Sequence, residues 1–595
     1  MNYRREIDGL RALAVLPVIL FHAGFETFSG GFVGVDVFFV ISGYLITTII
    51  IEDIENNRFS IIKFYERRTR RILPALFLML IFVYLISWLV FLPSSHKVVG
   101  QYVVTSIFSA SNLLLYLKGK DYFGLEHSNN PLFHTWSLGV EEQFYLVIPV
   151  LLYFLWRPNK IWQLSLIVTV IFASLFINYL KLEDASFNFY MVFSRSWELG
   201  VGMLAAVIKH RGVSLTNNTL SVSGFLLVLI STVAIPSNHS YLNFLLLLPV
   251  FGTFLVIVFT SEKDFVGRVL SFRPILFIGI ISYSLYLWHV PLLIFNNYLF
   301  GNGLIQQVFY FSALYLVAYC SYKYVETPFR KSISVKHLLA VLGVLAISLS
   351  TMGLLGHING GYPNRSELLS NLQNNNGWGL RCNGNVNIDV SCSVSKKPST
   401  AVLGNSYSMV FVNALRGKYS VDLVQITQDS CALGYVDNVN DVSSLPCKEF
   451  YERAVSTIQN NETIKTVIIS SPFNRELSND RYKESFINLL NDLHQKDVYV
   501  IGPTPSAPFS VGECLFKSHL FDGINECDFE VDDKHYEKIQ NLVEVLSIMG
   551  NVQFIDITEI ICPLGKCVMK VGEKDSMYID AGHLSNTGAL VVTDK

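Results

Sequence analysis

Long apolar stretches alternate with short polar segments over the first 356 residues of the chain. A run of roughly 20 apolar residues can cross the hydrocarbon core of a bilayer. By this criterion the pattern predicts eleven membrane-spanning helices, near residues 10–28, 33–51, 72–92, 137–156, 161–180, 190–208, 218–235, 243–260, 275–297, 304–322 and 337–356. The stretch 98–117 is more polar, so it is interpreted as interfacial or re-entrant. Counting it as a span would reverse the orientation of everything after it.

The distribution of Lys and Arg indicates how these helices are oriented. With the N-terminus in the cytoplasm, the predicted inside segments hold 20 Lys and Arg residues and the outside loops hold 4. Positive residues collect in cytoplasmic loops, so this bias favours a cytoplasmic N-terminus. An odd number of spans then places everything after residue 356 outside the cytoplasm.

The hydrophobic pattern changes after residue 356. Residues 357–397 are polar and rich in Gly and Asn, which is typical of a linker. Beyond 398, short β-rich runs alternate with helix-like segments such as 480–494 and 533–548. The β-rich runs are 400–403, 421–426, 466–470, 497–501 and 552–556. This alternation predicts an α/β domain with a parallel sheet covered by helices on both faces.

The predicted organisation therefore has three parts. A helical transmembrane domain covers residues 1–335, and an additional transmembrane helix with the linker covers 336–397. The α/β domain covers 398–595. The composition agrees with an integral membrane protein, because 51% of the 595 residues are hydrophobic, 15% are charged and the mean hydropathy is +0.40. The net charge of −2 argues against nucleic-acid binding.

No cleavable signal peptide is expected. The first apolar helix leads directly into polar residues and has no small-residue cleavage site.

The cysteines are concentrated near the C-terminus. Cys320 lies in an apolar segment, and the other eight all follow residue 380. They are Cys382, Cys392, Cys431, Cys447, Cys514, Cys527, Cys562 and Cys567. An even set outside the cytoplasm predicts disulfides and an oxidising compartment. Pairing of sequence neighbours is simplest, but the sequence leaves the connectivity open, and eight reduced thiols are the alternative.

Ionisable residues on the first two predicted helices are candidates for function. Arg11 and His22 are about 16 Å apart along one helix, which places an ionisable side chain deep in the bilayer. Asp36 lies at the start of the second helix and is a candidate for the same reason, because it is an ionisable residue in an apolar helix. The alternative for His22 is a hydrogen bond to a neighbouring helix.

An arginine cluster lies at the predicted cytoplasmic end of the third span. Its members are Arg67, Arg68, Arg70 and Arg71. Such a cluster can bind the phosphates of a nucleotide-like donor through charge-assisted, bidentate hydrogen bonds. The alternative is a positive-inside anchor, which any membrane protein can carry.

Two adjacent carboxylates, Glu141 and Glu142, lie within the predicted fourth span, where each needs a partner or a function. Arg195, at the start of the sixth span, is a candidate partner for one of them. Glu198 is a similar buried carboxylate.

Three further residues are candidates. His134 and Trp136 are expected just outside the membrane, where Trp is also an ordinary interfacial anchor. His289 lies in a WHVP motif, whose proline can break the helix locally. Irregular backbone at that depth usually lines a cavity.

The α/β segment carries the elements of a nucleophilic site. The run TAVLGNSYSMV (400–410) reads as strand, Gly-Asn-Ser turn and helix, which exposes Ser406 next to a helix N-terminus. Asp580 stands three residues before His583 and can orient its imidazole, leaving the other ring nitrogen to activate a distant serine. The pair of motifs at opposite ends of one domain is more specific than either alone.

The membrane motifs resemble the acyltransferase family 3 proteins that acylate cell-surface glycans. Besides Arg11 and His22, the matching pieces are FVGVDVFFVISGY (32–44), FYERRTRRILPAL (64–76), HTWSLGVEEQFYL (134–146), SRSWELGVG (194–202) and ISYSLYLWHVPL (281–292). The resemblance implies transfer from cytosolic acetyl-CoA, with His22 as general base or transient acyl carrier. It also implies that Arg11 and the arginine cluster bind the donor, and it implies no metal.

The C-terminal motifs resemble the SGNH hydrolase/transferase domain that some members of this family carry. The implied triad is Ser406, His583 and Asp580. One departure is that the family's first block has Asp before the serine and His after it, whereas this chain has Asn405 and Tyr407. Gly434 and Asn474 are the expected oxyanion residues.

Together the resemblances imply an O-acetyltransferase that acts on a bacterial surface glycan across the inner membrane. The first choice of acceptor is lipopolysaccharide O-antigen, and peptidoglycan or another exported glycan is the alternative. The expected partners are acetyl-CoA, a lipid-linked or exported glycan and the bilayer, with no nucleic acid. The two alternatives from other classes are a transporter whose outer domain only binds glycan and a membrane-tethered glycan esterase.

Overall fold

Helices form the first of two units. The computed structural model describes residues 3–118, 130–156, 160–210, 215–236, 245–331, 334–389, 391–436, 446–521, 527–572 and 575–594. The chain divides into one unit of Met1–Leu89 and Ser95–Gly361 and a second of Val90–Ser94 and Tyr362–Lys595.

The helices numbered up to the end of the first unit are α1 (Arg5–His22), α2 (Gly34–Glu55), α3 (Ile61–Val90), α4 (Pro93–Ile107), α5 (Ser111–Leu117), α6 (Trp136–Trp156), α7 (Lys160–Leu180), α8 (Ala185–Tyr190), α9 (Val192–His210), α10 (Asn218–Ala234), α11 (Leu247–Phe259), α12 (Phe265–Leu270), α13 (Arg273–Ile280), α14 (Ser282–Phe300), α15 (Leu304–Ser321), α16 (Thr327–Lys331) and α17 (Val335–Ile358). Short 3₁₀ turns lie at Glu26–Phe28, Gly31–Val33 and Phe133–Thr135, and a π-helix at Tyr322–Glu326.

The number of membrane-length helices differs from the prediction of eleven. Among the described residues, seven helices are long and apolar enough to cross a membrane, and the bent pair α13–α14 makes up to eight. Helix α1, which corresponds to the first predicted span, carries four charged residues among its 18. Helices α10 and α11 have only 17 and 13 residues. The stretch 98–117 forms parts of two helices, α4 and α5. The fold is therefore a membrane-type helical region, and eleven spans are not confirmed.

Glycines bring helices α2 and α9 into backbone contact. A Cβ atom at Gly43 would lie 2.0 Å from the carbonyl oxygen of Leu199, and one at Gly202 would lie 2.1 Å from that of Val40. Small residues allow such close approach between membrane helices. The contact sets the distance between Asp36 on α2 and Arg195 on α9.

The predicted break at the WHVP proline is wrong. Pro291 lies inside the continuous helix α14, and the bend of 69° lies between α13 and α14. A proline in a membrane helix is tolerated when neighbouring groups satisfy the freed backbone carbonyl. Here the freed carbonyl is that of Leu287, four residues before Pro291, and His134 Nε2 donates to it at 3.1 Å.

The second unit contains a five-stranded parallel sheet, as predicted. Its strands are β1 (Thr400–Gly404), β2 (Leu423–Thr427), β3 (Thr466–Ser470), β4 (Asp497–Ile501) and β6 (Val552–Ile555), in the order β2-β1-β3-β4-β6. Short strands outside this sheet are β5 (Phe529–Glu530), β7 (Lys566–Cys567), β8 (Lys570–Val571) and β9 (Asp575–Ser576). In register, Thr400 lies opposite both Leu423 and Thr466.

Helices cover both faces of this sheet. They are α18 (Glu367–Asn371), α19 (Ser406–Tyr419), α20 (Cys447–Gln459), α21 (Asp480–Asp492), α22 (Val511–Leu520), α23 (Asp533–Leu546), α24 (Thr558–Ile561) and α25 (Asn586–Thr593). Leu403 packs with Phe450 of α20 on one face, and Val402 packs with Val412 of α19 on the other. Such an open parallel sheet places sites at the carboxyl ends of its strands.

The second unit begins earlier than the predicted domain boundary at 398. Residues 362–397 were expected to be a linker, but they belong to this unit. The Asn375 side chain donates to the carbonyl oxygen of Val410 at 2.9 Å, and the Trp378 amide donates to Gln425 Oε1 at 2.9 Å. This polar segment is therefore hydrogen-bonded to the helix and the strand that carry Val410 and Gln425.

The eight cysteines after residue 380 form four disulfides between sequence neighbours. The pairs are Cys382–Cys392, Cys431–Cys447, Cys514–Cys527 and Cys562–Cys567. The disulfides predicted from the even count are confirmed, and the structure supplies the connectivity that the sequence left open. Cys320 is not disulfide-bonded.

Candidate active sites

The second unit brings the predicted serine, histidine and aspartate into one hydrogen-bonded chain. Ser406 is the first residue of α19, directly after the β1 strand and its turn. Its Oγ lies 2.8 Å from His583 Nε2, and His583 Nδ1 lies 2.7 Å from Asp580 Oδ2. An aspartate can only accept here, so the imidazole carries its proton on Nδ1 and presents a lone pair to Ser406. This arrangement can activate a serine for attack on an ester or thioester.

Asp580 is held as an anion by its surroundings. Burial alone would raise the pKa of Asp580. The hydrogen bond and charge of His583 lower it, as do the backbone amides of His583 and Gly582. Together these groups outweigh burial, so the pKa of Asp580 is lowered. Those amides donate to Oδ1 at 2.8 and 2.9 Å. The aspartate is therefore fixed in place from two sides.

The lowered pKa of Asp580 predicts a pH-dependent contribution to stability. The unfolded chain binds the carboxyl proton more tightly, so the contribution is complete above the unfolded pKa of about 4. It is lost as the pH falls through the lower folded pKa. We expect Asp580→Asn to lower the unfolding temperature at pH 7, measured by circular dichroism, with the difference from wild type shrinking as the pH falls below about 4. A difference that does not shrink at acidic pH would contradict this assignment.

Tyr407 takes the position where the resemblance leads one to expect a histidine. Its ring packs on the imidazole of His583, with 4.2 Å between ring centroids. Burial, followed by the nearby charge of Asp580, raises the pKa of Tyr407 to about 12, so it stays neutral. A Cβ at position 582 would lie 2.8 Å from its hydroxyl, which explains the glycine in the Asp-Ala-Gly-His run.

The two expected oxyanion residues lie in loops after β2 and β3. Gly434 has a φ of +125°, a conformation that favours glycine, and a Cβ there would lie 2.6 Å from Ser485 Oγ. Asn474 is exposed, and its Oδ1 accepts a hydrogen bond from Lys538 Nζ at 2.5 Å. Their role as oxyanion donors stays a prediction.

In the first unit, three histidines from separate segments come together. The ring centroid of His289 on α14 lies 5.1 Å from that of His22 and 5.3 Å from that of His134. His22 ends α1, and His134 lies in the 3₁₀ turn before α6. Sequence analysis named all three, but their spacing along the chain did not show that they meet.

Backbone carbonyls determine the tautomers in this cluster. His22 Nδ1 lies 2.9 Å from the carbonyl oxygen of Val18, which can only accept, so Nδ1 carries the proton. His289 Nδ1 likewise donates to the carbonyl oxygen of Tyr286, at 2.6 Å. His289 Nε2 is then an acceptor, 3.3 Å from His22 Nδ1. The lone pair of neutral His22 is therefore on Nε2, the atom suited to act as base or nucleophile.

His134 and Trp136 are both buried among the helices, each only 1% exposed, and their expected position just outside the membrane stays a prediction. His134 Nε2 donates to the carbonyl oxygen of Leu287, at 3.1 Å, and Trp136 lies against Phe39 and Phe189. The turn that precedes α6 folds into the bundle, so these residues face other helices.

A cavity that Tyr286 helps to line lies close to the histidine cluster. Three arginines, Arg11, Arg68 and Arg71, line it together with Tyr286. The Tyr286 ring is also 5.2 Å from that of His289. Tyr286 therefore contacts both the arginine-lined cavity and the histidine cluster.

Only half of the arginine cluster faces this cavity. Arg67 pairs with Asp53 at 2.7 Å and is half exposed, and Arg70 pairs with Glu66 at 2.9 Å. Arg67 and Arg71 are four residues apart and also neighbour each other on the helix. The spacing of the four residues therefore did not show which of them reach the cavity.

The carboxylates of α6 have partners other than Arg195. Glu142 pairs with Arg68, at 3.5 Å, and Glu141 Oε1 accepts a hydrogen bond from Ser42 at 2.8 Å. Glu141 also lines the cavity. The predicted pairing with Arg195 is wrong, because α9 faces α2 instead.

Arg195 lies between two buried carboxylates. It pairs with Asp36 at 2.9 Å and with Glu198 at 3.0 Å, and all three side chains are at most 4% exposed. Its guanidinium also lies 5.5 Å from the Phe39 ring centroid, and Phe39 lines the cavity. Removing one member of such a buried ion cluster would leave a buried charge without its partner. We therefore assign the cluster a structural role, in which it holds α2 and α9 together beside the cavity.

The tyrosines of the cavity were not predicted from the sequence. Tyr145 lies under the Arg68 guanidinium, 3.9 Å from ring centroid to Cζ, and Tyr286 contacts both His134 and His289. Tyrosines are ordinary core residues in an apolar helix, so composition and period did not distinguish them. Their proximity to the named arginines and histidines became evident only in three dimensions.

Comparison with protein families identifies both parts of the chain. A family model described as "Acyltransferase domain" matches residues 4–323, and one described as "SGNH domain (fused to AT3 domains)" matches residues 381–595. The first covers more than half of the chain.

Curated relatives resemble the helical part. The chain is 33% identical over 349 residues to the O-acetyltransferase OatA of Staphylococcus aureus, a match that covers 56% of this chain and 58% of that protein. It is 31% identical over 355 residues to the peptidoglycan O-acetyltransferase OatA of Listeria monocytogenes, covering 56% of each. The match therefore spans somewhat more than half the length of these relatives.

Among solved structures, the periplasmic domain of a lipopolysaccharide acetyltransferase from Salmonella ser. Paratyphi A is similar at 15% identity, with a TM-score of 0.30. It covers 36% of this chain and 84% of that chain.

Proposed function

Because the chain belongs to the acyltransferase family whose model matches residues 4–323, we propose that it is an O-acetyltransferase of a bacterial cell-wall glycan. The hydrogen-bonded chain of Ser406, His583 and Asp580 is the observation that best supports acyl transfer, since it combines nucleophile, base and orienting carboxylate. The name of the Listeria monocytogenes relative favours peptidoglycan as the acceptor over O-antigen.

The proposed donor is cytosolic acetyl-CoA, bound with its phosphates near Arg68 and Arg71. Guanidinium groups bind phosphates with charge-assisted, often bidentate hydrogen bonds. These arginines line the same cavity as Tyr286, which contacts the histidine cluster. A donor bound there would extend its thioester towards His22.

We propose that Nε2 of His22 either accepts the acetyl group or acts as a base in its transfer. As a base it would take a proton from the attacking group. As an acyl carrier it would attack the thioester carbonyl, so that an N–C bond forms while the C–S bond breaks and the CoA thiolate leaves. Either role requires the Nδ1-protonated tautomer that the carbonyl oxygen of Val18 imposes.

Ser406 is proposed to accept the acetyl group outside the cytoplasm and pass it to a sugar hydroxyl. Its Oγ attacks the acetyl carbonyl, the bond between the acetyl group and its carrier breaks, and the serine proton passes through His583 Nε2 to the departing carrier. The sugar hydroxyl then gives its proton to His583 Nε2 and attacks the acyl-enzyme, and Ser406 leaves with that proton. Under this proposal the helical unit lies in the inner membrane, and the second unit lies on its extracytoplasmic side, which is the periplasm where one exists.

The donor site predicts different effects for two neighbouring arginines. We expect Arg71→Ala to raise the KM for acetyl-CoA by about 10- to 100-fold, because a charged hydrogen bond to phosphate is worth roughly 1.5–3 kcal/mol. Arg67→Ala is the matched control and should change KM less than about 2-fold, since Arg67 is half exposed and pairs with Asp53. Initial rates at varied acetyl-CoA in sealed vesicles measure both. Equal effects would contradict the assignment of the cavity.

One experiment separates the proposed function from its two alternatives. The full chain in vesicles is supplied with labelled acetyl-CoA and a soluble glycan acceptor, and labelled glycan and free acetate are both measured. A transferase yields labelled glycan in excess over acetate. An esterase releases acetate from acetylated glycan without needing CoA, and a transporter acetylates nothing.

A further inference from the structure

We propose that Asn405, Ser471 and Glu476 form a positioning chain that holds the loop 431–435 beside Ser406 for stabilisation of the oxyanion. The proposal rests on the proposed role of Ser406 as the nucleophile. None of the three residues touches the reacting atoms in this account; they act through the loop that carries Gly434.

The chain of hydrogen bonds is continuous and buried. Asn405 Nδ2 lies 3.0 Å from both the carbonyl oxygen of Cys431 and Ser471 Oγ. Ser471 Oγ lies 2.8 Å from Glu476 Oε1, which also accepts from the Leu433 amide at 2.8 Å. Asn405, Ser471 and Glu476 are at most 6% exposed. The loop after β2 is thus bonded at both Cys431 and Leu433 to one side-chain network.

Chemistry sets the direction of every bond in this network. A carbonyl and a carboxylate only accept, and a serine hydroxyl has one proton to donate. Ser471 must therefore donate to Glu476 and accept from Asn405. Asn405 Oδ1 in turn accepts the amide of Tyr407, at 3.0 Å, which caps the helix that begins at Ser406. Asparagine fits position 405 because it donates and accepts at once, whereas aspartate can only accept.

The network fixes the amide of Gly434 from both sides. The amide before it, of Leu433, donates to Glu476, and the amide after it, of Tyr435, donates to Ser485 Oγ at 2.5 Å. The positive φ of Gly434 and its contact with Ser485 leave no room for a side chain. Asn405 is adjacent to Ser406 and bonds Cys431, so the loop is attached to the nucleophile's own turn. Donors held in advance of the reaction stabilise an oxyanion most effectively.

The test measures acetylation of Ser406 by p-nitrophenyl acetate in the full chain, purified in nanodiscs. Asn405→Asp removes both donated bonds and puts a carboxylate against a carbonyl oxygen, and Glu476→Ala removes the acceptor for Leu433. Each should lower kcat by about 10- to 100-fold, with KM changed less than about 3-fold. Glu476→Gln keeps an acceptor oxygen and should stay within about 3-fold of wild type.

Two controls distinguish positioning from general damage. Glu449→Ala, on the exposed face of α20, should leave kcat unchanged. Because Asn405 and Glu476 act through one loop, the double variant Asn405→Asp/Glu476→Ala should lose no more than about 3-fold beyond the worse single variant. Fully multiplicative losses, single variants with wild-type kcat, or equal losses for Glu476→Gln and Glu476→Ala would each overturn the proposal. If wild-type Ser406 is not acetylated while glycan still is, the proposed role of Ser406 as the nucleophile fails, and this inference with it.

Discussion

Replacing Ser406 with alanine should abolish acetylation of the glycan, lowering the rate by at least about 10³-fold. The Ser406 hydroxyl is the nucleophile of the Ser406–His583–Asp580 chain, because His583 Nε2 is placed to take its proton. Ser406 is at the surface end of α19, so its loss removes one hydrogen bond and little packing. The measurement is labelled acetyl on glycan from vesicles containing the full chain.

The control for this experiment is Ser456→Ala, on the exposed side of α20 in the same unit. It should retain wild-type activity. Circular dichroism of the Ser406→Ala variant should match wild type, because the substitution leaves the helices intact. Full glycan acetylation by Ser406→Ala would exclude an acyl-enzyme at this residue.

Replacing His22 with alanine should also abolish transfer, by a similar factor, while binding of acetyl-CoA is retained. The imidazole is lost from the histidine cluster, whereas Arg68 and Arg71 still line the donor cavity. We therefore expect kcat to fall by about 10³-fold and the dissociation constant of CoA, measured by calorimetry, to change less than about 3-fold. Intact binding with lost turnover is the signature of a residue that acts in the chemical step.

His210→Ala is the matched control for His22→Ala. His210 ends α9 and pairs with Glu55 at 2.7 Å, away from the cavity lining. Its loss should leave turnover within about 2-fold of wild type. If His22→Ala and His210→Ala behave alike, His22 has only a structural role.

The α/β unit was largely predictable from the sequence. Each of the five predicted strand runs overlaps a strand of the main sheet, because a parallel strand buried on both faces reads as a short β-branched run. The triad was predictable because its residues lie in short motifs at a strand–helix turn and before the last helix. The start of the unit at Tyr362 was not predictable from the sequence. A polar Gly/Asn-rich segment resembles a linker even when it is hydrogen-bonded to the rest of the unit.

The helical unit was predictable in class but less so in detail. Apolar stretches identify helices, yet α10 and α11 are too short and α1 too charged to count as spans by length and composition. Which ionisable groups meet depends on how helices rotate and pack, as with Arg195 and its partners Asp36 and Glu198. The burial of His134 depends on a single 3₁₀ turn folding inward, which no period in the sequence encodes.

The most direct test of the proposed relay is mass spectrometry of the Ser406 peptide after labelled acetyl-CoA is supplied to the cytoplasmic face of sealed vesicles. The account predicts label on Ser406 in the wild-type chain and none in His22→Ala. Omitting the glycan acceptor should increase the labelled fraction, because the second transfer is then blocked. Unlabelled Ser406 in vesicles that still acetylate glycan would contradict the relay and mean that the helical unit acetylates the acceptor directly.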